Sequence, residues 1–257
     1  MNSRVDGDDQ SRLIYASVKI VLLLLTACSV HRSLSPPNPS VKSEECCSGT
    51  EGTDTLFEKF VQSITYCSKC MVWMCVWSDI VFILVRLVLF STLPDDLKFG
   101  WEEYVTPDAA VDVGRERIPA VMVLGVLSAT IAAGLRMWCF NSLGPFFTFE
   151  ITIQPKHRLI THGPYAWVRH PSYTGVYLTL VGATLVLSSP GSWMVEYGVR
   201  TPLGFLASAF WVVKCVFAFR GMSVRLKAED DILRDTFGAQ WEEYAARVPS
   251  KFLPGVV

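Results

Sequence analysis

Charge is scarce in this chain: Asp, Glu, Lys and Arg make up 18% of its 257 residues, against roughly a quarter in soluble globular domains. The little charge present nearly cancels, to a formal net charge of -1. No basic field of the kind that attracts nucleic acid results, so nucleic acid is not an expected partner. Internal repeats are missing as well. Cys67 and Cys70 form a Cys-x-x-Cys with no second such pair, no histidine pair at zinc spacing and no βαβ pattern around it, and no metal site is expected there. Cys28, Cys75, Cys139 and Cys215 lie in or beside apolar runs, where a thiol behaves as a small hydrophobe. Cys46 and Cys47 fall in a polar loop.

Apolar residues, by contrast, are abundant at 51%. A bilayer span takes about 20 mostly apolar residues, and five segments qualify: 13–30, 71–93, 118–140, 173–189 and 202–219. The fourth is short, and the first contains Lys19. The run Val21 to Leu25 also resembles the apolar region of a signal peptide, but no small-x-small cleavage site precedes the stiff Pro-rich stretch 33–40. A retained span is therefore expected. The expected fold is all-α: a polytopic integral membrane protein of one domain, 1–257, with about five transmembrane helices and a C-terminal helical tail.

Five spans place thirteen Lys and Arg on one side and six on the other, so the positive-inside rule puts the C-terminal tail and the loop before the fourth span in the cytosol. Charges inside spans are functional candidates by default. Asp79 and Arg86, seven residues apart, share a helix face and read either as a structural pair or as snorkelling side chains. Arg136 lies near the cytosolic end of its span, where snorkelling is expected, and Lys214 lies within the fifth.

Between the third and fourth spans, 147–154 alternates apolar and polar residues, the period of an extended segment. Three of the four histidines follow, in the run from His157 through His162-Gly163-Pro164-Tyr165 to Arg169-His170-Pro171-Ser172-Tyr173. Such a string at the mouth of a span reads either as an interfacial anchor or as a site. In the tail an amphipathic stripe runs through Leu226, Leu233, Phe237, Trp241, Tyr244 and Val248. Gly238 is expected to break that helix and Pro249 to end its continuation. Arg225 and Glu229 project from one helix face at i, i+4, either as a surface ion pair or as site residues.

Together the runs His157-Arg-Leu-Ile-Thr-His-Gly-Pro-Tyr165, Arg169-His-Pro-Ser-Tyr-Thr-Gly175, Arg225-x-x-x-Glu229-Asp230-x-x-Leu233, Phe237-Gly238 and Tyr244 closely resemble the isoprenylcysteine carboxyl methyltransferase family, over roughly the C-terminal half. The Pro-rich linker after the first span looks like fungal-type members. The resemblance implies an endoplasmic reticulum enzyme that methylates the carboxylate of a prenylated C-terminal cysteine, its prenyl chain held in the lipid bilayer. It implies an S-adenosyl-L-methionine pocket formed by His157, Arg158, Leu159, Ile160, Tyr165, His170, Pro171, Ser172, Tyr173 and Glu229, with Arg225 holding the substrate carboxylate as the catalytic and substrate-binding residue. Gln154 is similar to a family glutamine that touches the cofactor, although the loop to His157 is shorter here. Asp230 stands where many members have a second glutamate.

The chemistry suits such residues. A terminal carboxylate, with an ordinary pKa of about 3.3 to 3.7, is already an ionised nucleophile, so no general base is required and alignment dominates. Two other membrane enzymes carry similar Arg-His-Pro strings: phospholipid methyltransferases, whose amine acceptor would gain nothing from Arg225, and sterol-type reductases, which would need further basic residues for nicotinamide phosphates. A non-catalytic adaptor is a third reading, separable by cofactor binding.

Overall fold

The computed structural model describes residues 2–39, 56–92, 117–148 and 157–255. Among them the regular structure is helical, without a strand: α1 (Asn2–Ser33), α2 (Leu56–Thr92), α3 (Ala120–Leu143), α4 (Pro171–Leu187), the short α5 (Trp193–Glu196), α6 (Pro202–Phe237) and α7 (Ala239–Arg247). Local chemistry sets several of these boundaries. Proline occupies the first position of α4 and of α6, where its missing N–H costs nothing, and the Thr201 hydroxyl caps α6 by accepting from the Gly204 N–H at 3.0 Å, as N-cap hydroxyls do. Gly238, at φ 51°, ends α6 where the sequence places the break.

Among the described residues, four helices are long and apolar enough to cross a membrane: Gln10–Ser33, Lys59–Leu89, Ala120–Phe146 and Pro202–Phe237. The chain is thus a polytopic membrane protein of all-helical class. The remaining expected span is the 17-residue α4, about 25 Å long at 1.5 Å per residue. It is packed inside the bundle. A Cβ on Gly182 would sit 2.7 Å from the Ala129 backbone nitrogen, and one on Gly125 2.8 Å from the Gly182 carbonyl, so α3 and α4 touch backbone to backbone through small residues, as helices in lipid do. α1 supplies the fully buried Leu23, Ala27 and Val30 to the same core.

Because α4 is short, the chain turns back before the ends of α1 and α2 are reached. The backbone of that turn must find partners inside the protein. Lys19 donates to the Gly191 carbonyl at 2.6 Å, and Asp79 accepts from the Trp193 N–H. This corrects the sequence-based pairing of Asp79 with Arg86: Asp79 is 2% exposed and capped onto the turn, while the Arg86 guanidinium lies 5.6 Å from the Phe82 ring centroid. The extended stretch expected at 147–154 lies, beyond Phe147 and Thr148, outside the described residues, as do Gln154, Cys46 and Cys47. Cys67 and Cys70 are free, half-buried thiols on α2.

Candidate functional site

At the opposite end of the bundle from that turn, Leu34 just after α1, the first half of α2, the end of α3, the loop 157–170, the first half of α4 and the second half of α6 surround one cavity. The loop enters through Gly163, at φ 63°, where a Cβ would press on the Ser142 hydroxyl at 2.8 Å; glycine meets both demands. The tail then folds over the loop. The Arg169 and His170 N–H groups donate to the Ser250 and Lys251 carbonyls at 3.0 and 2.7 Å, and the Tyr244 hydroxyl donates to the Tyr165 carbonyl at 2.8 Å. The Trp241 ring lies under the Arg169 guanidinium at 5.5 Å. Trp241, Tyr244 and Val248, members of the amphipathic stripe, are buried.

The cavity gathers most of the residues singled out from sequence. His157, Arg158, Leu159, Ile160, Tyr165, His170, Ser172, Tyr173, Arg225 and Glu229 all line it. Pro171 is instead the first residue of α4, fixing its start. His162 is exposed. The Tyr173 hydroxyl donates to Glu229 Oε2 at 2.7 Å, aiming that carboxylate. The His157 ring lies 4.8 Å from Phe146 and 5.9 Å from Phe237, and its buried Nδ1 has no hydrogen-bond partner. Burial lowers the His157 pKa against an opposing pull from Glu229, so the ring is neutral at neutral pH. Burial likewise holds the Tyr165 hydroxyl well above its ordinary value, leaving it a protonated donor.

The structure narrows the reading of one residue and changes that of two others. Arg225 is buried and lies 5.9 Å from the Tyr173 ring centroid, which removes the surface-pair alternative. Arg136 does not snorkel: it is 2% exposed, lines the cavity, donates from Nε to the Ser33 carbonyl at 2.9 Å and from Nη1 to the Ser172 hydroxyl. The Phe140 and Phe147 rings flank it at 4.6 and 5.2 Å, and Gly175 leaves room for its stem, since a Cβ there would meet Arg136 Cγ at 2.7 Å. The signal for this was the charge itself, placed inside an apolar segment. Asp230 also takes a different part. It accepts from His170 Nε2 at 2.8 Å and lies 3.4 Å from Arg169 Nη2, so it holds the loop; it does not line the cavity.

The class defined so far is an all-helical, multi-spanning membrane protein with a cationic and carboxylate-bearing cavity at one end. Comparison with known proteins refines it. Residues 123–199, covering α3, the loop and α4, match the family model of the Isoprenylcysteine carboxyl methyltransferase (ICMT) family. The chain is 33% identical over 132 residues to a probable protein-S-isoprenylcysteine O-methyltransferase of Oryza sativa subsp. indica, covering 51% of this chain and 60% of that one. It is 36% identical over 118 residues to protein-S-isoprenylcysteine O-methyltransferase B of Arabidopsis thaliana, 45% of this chain and 51% of that one. The Homo sapiens protein-S-isoprenylcysteine O-methyltransferase is 28% identical over 170 residues, 65% and 51%. The chain thus resembles the isoprenylcysteine carboxyl methyltransferases, and the match spans about half to three fifths of those relatives' length. These relatives are plant and animal proteins and do not bear on the fungal-type likeness of the linker.

Proposed function

We propose that this chain methylates the C-terminal carboxylate of S-prenylated cysteine in processed proteins, using S-adenosyl-L-methionine, at the cytosolic face of the endoplasmic reticulum membrane. The observation that carries the reading is one cavity whose lining brings together a carboxylate and aromatic cluster, the guanidinium groups of Arg136 and Arg225 among others, and apolar side chains. The cluster suits the cofactor. Glu229 offers negative charge to a cationic amino acid and sulfonium, and the neutral His157 ring, between Phe146 and Phe237, offers an unfilled Nδ1 and an aromatic face. When bound there, the cofactor supplies an electrophilic methyl group. Among the other residues implied, Leu159, Ile160 and Tyr165 wall the pocket beside Arg158, while Ser172 and Tyr173 orient Arg136 and Glu229. Gln154 is carried only by the family likeness.

Arg225 provides the planar fork that grips a carboxylate through two parallel donors, and Arg136, from α3, adds a second positive centre to the same cavity. That pair favours an anionic acceptor over the ammonium of a phospholipid headgroup, which a guanidinium would repel. The acceptor carboxylate is already ionised, so alignment of nucleophile and methyl group is the main contribution to rate. Solubilised protein incubated with a small prenylcysteine and radiolabelled S-adenosylmethionine should yield a base-labile methyl ester. Label on phosphatidylethanolamine alone would assign the amine chemistry instead. The cytosolic placement rests on the basic-residue asymmetry, and a reporter fused after Val257 and found in the lumen would overturn it.

A further inference from the structure

On the outer face of the bundle, near the cavity end but outside the cavity lining, α1 and α2 meet in a polar seam. Trp73 of α2 donates from Nε1 to His31 Nδ1 of α1 at 3.4 Å. An indole N–H can only donate, so Nδ1 is the acceptor and the imidazole proton sits on Nε2. One turn earlier on α2, Lys69 donates from Nζ to the Ser35 hydroxyl at 3.3 Å, and Ser35 in turn donates to the His31 carbonyl at 2.7 Å. On the other flank of α1, Arg32 reaches α3, with its Nε 3.2 Å from Met137 Sδ. His31 and Arg32 are exposed and Lys69 is half-buried. Among the described residues, neither Arg32 nor Lys69 takes part in an ion pair.

The seam stands at the depth of lipid headgroups. From Lys69 to Leu89, where the apolar span of α2 ends, is twenty residues, about 30 Å of helix and the thickness of a hydrocarbon core. On α1 the twenty residues from Arg12 to Arg32 give the same length. From His31 an exposed apolar stripe runs into the membrane through Cys28, Leu25 and Val21, and from Trp73 another runs through Trp77 and Val81. Trp73 and Trp77 stack at 6.5 Å. We propose that the seam holds an anionic glycerophospholipid, with its phosphate on Lys69, Arg32 and the His31 Nε2–H and its acyl chains along the two stripes. Charge complementarity carries the assignment, because two cations favour a net-negative headgroup over a zwitterionic one. On the cytosolic placement proposed above, this end lies in the leaflet that carries such lipids; the methylation reading is not involved.

The test offers the detergent-solubilised full chain an equimolar mixture of phosphatidylserine and phosphatidylcholine with identical acyl chains. Native mass spectrometry reads the ratio of the two bound lipids within one sample. The parent should favour phosphatidylserine about twentyfold. Arg32→Gln and Lys69→Gln should each lower that preference about fivefold, the effect of one basic residue near a lipid surface. His31→Phe, which keeps the formal charge but removes the Nε2–H, should lower it by about as much. Arg200→Gln, an equal loss of charge at the opposite end of the bundle, should leave it within twofold of the parent. A parent ratio within twofold of one overturns the site. So does an Arg200 variant that loses as much as the other two, since the attraction is then one of overall charge. Displacement of the lipid by glycerophosphoserine alone, at the same concentration, assigns a soluble anion and overturns the lipid. Because a detergent micelle has no sides, these outcomes stand apart from the cytosolic placement.

Discussion

Charged side chains are buried at both ends of this bundle, and the two groups do opposite things with their polar atoms. Lys19 and Asp79 direct theirs to the backbone of the turn after α4. Around the cavity, Arg225, Glu229 and His157 line a shared space, and Arg136 lies between the two cases, lining that space while donating to Ser33 and Ser172. A charge inside an apolar helix is therefore not diagnostic of function by its presence alone. What separates the cases is whether its partner is the fold or the cavity.

The comparison breaks most readily at Arg225. Arg225→Ala should lower the initial methylation rate on prenylcysteine ten- to a hundredfold, since losing a charged hydrogen-bonding partner costs about 1.5 to 3 kcal/mol. Arg225→Lys, which keeps the charge without the fork, should fall between it and the parent. Cofactor affinity should be nearly unchanged in both; an alanine variant within twofold of the parent would remove the carboxylate-docking role. Next come Glu229→Ala and His157→Ala, each expected to weaken S-adenosylmethionine binding about tenfold while leaving the helical signal intact, as followed by titration calorimetry. Parent-like binding in both would move the pocket elsewhere.

Asp79→Asn sharpens the contrast from the other end. It keeps an acceptor for the Trp193 N–H but drops the charge beside Lys19, and should cost about 1 kcal/mol of stability with kcat/KM per folded molecule unchanged. A loss of specific activity without a loss of stability would place Asp79 in the functional group after all. The smallest effect is expected from Tyr165→Phe, about 0.5 kcal/mol in cofactor affinity, because the ring and the carbonyl that receives the Tyr244 hydroxyl both remain.

Much of the reactive end was legible before any coordinates, because its residues sit close together in sequence and carry turn-forming neighbours. Gly163-Pro164 and His170-Pro171 fix backbone positions that leave little choice of conformation, and Gly238 stops a helix wherever it falls. Partnerships between distant segments were not legible. Nothing in the local sequence says that Asp230 faces His170, 60 residues away, or that Ser68 of α2 meets Lys214 of α6. Arg136 was misread for a related reason: its position near the end of an apolar run implied access to the interface, whereas α1 and α4 close over it. Nor does composition say that the 17-residue apolar α4 packs against α3 through small residues.

The two backbone bonds from Arg169 and His170 to Ser250 and Lys251 also have a temporal meaning. Translation runs from the N-terminus, so every long apolar helix has been made before the residues that secure the loop at 169–170 emerge. A nascent chain lacking residues 250–252 already contains the four long apolar helices, and its loop is held by Asp230 and Tyr244 while Arg169, His170 and Thr174 are short of their backbone partners. On the reading proposed above, the last backbone contacts of the cofactor loop form only at the close of synthesis, after membrane insertion, and chains interrupted just before them should integrate normally yet bind S-adenosylmethionine more weakly.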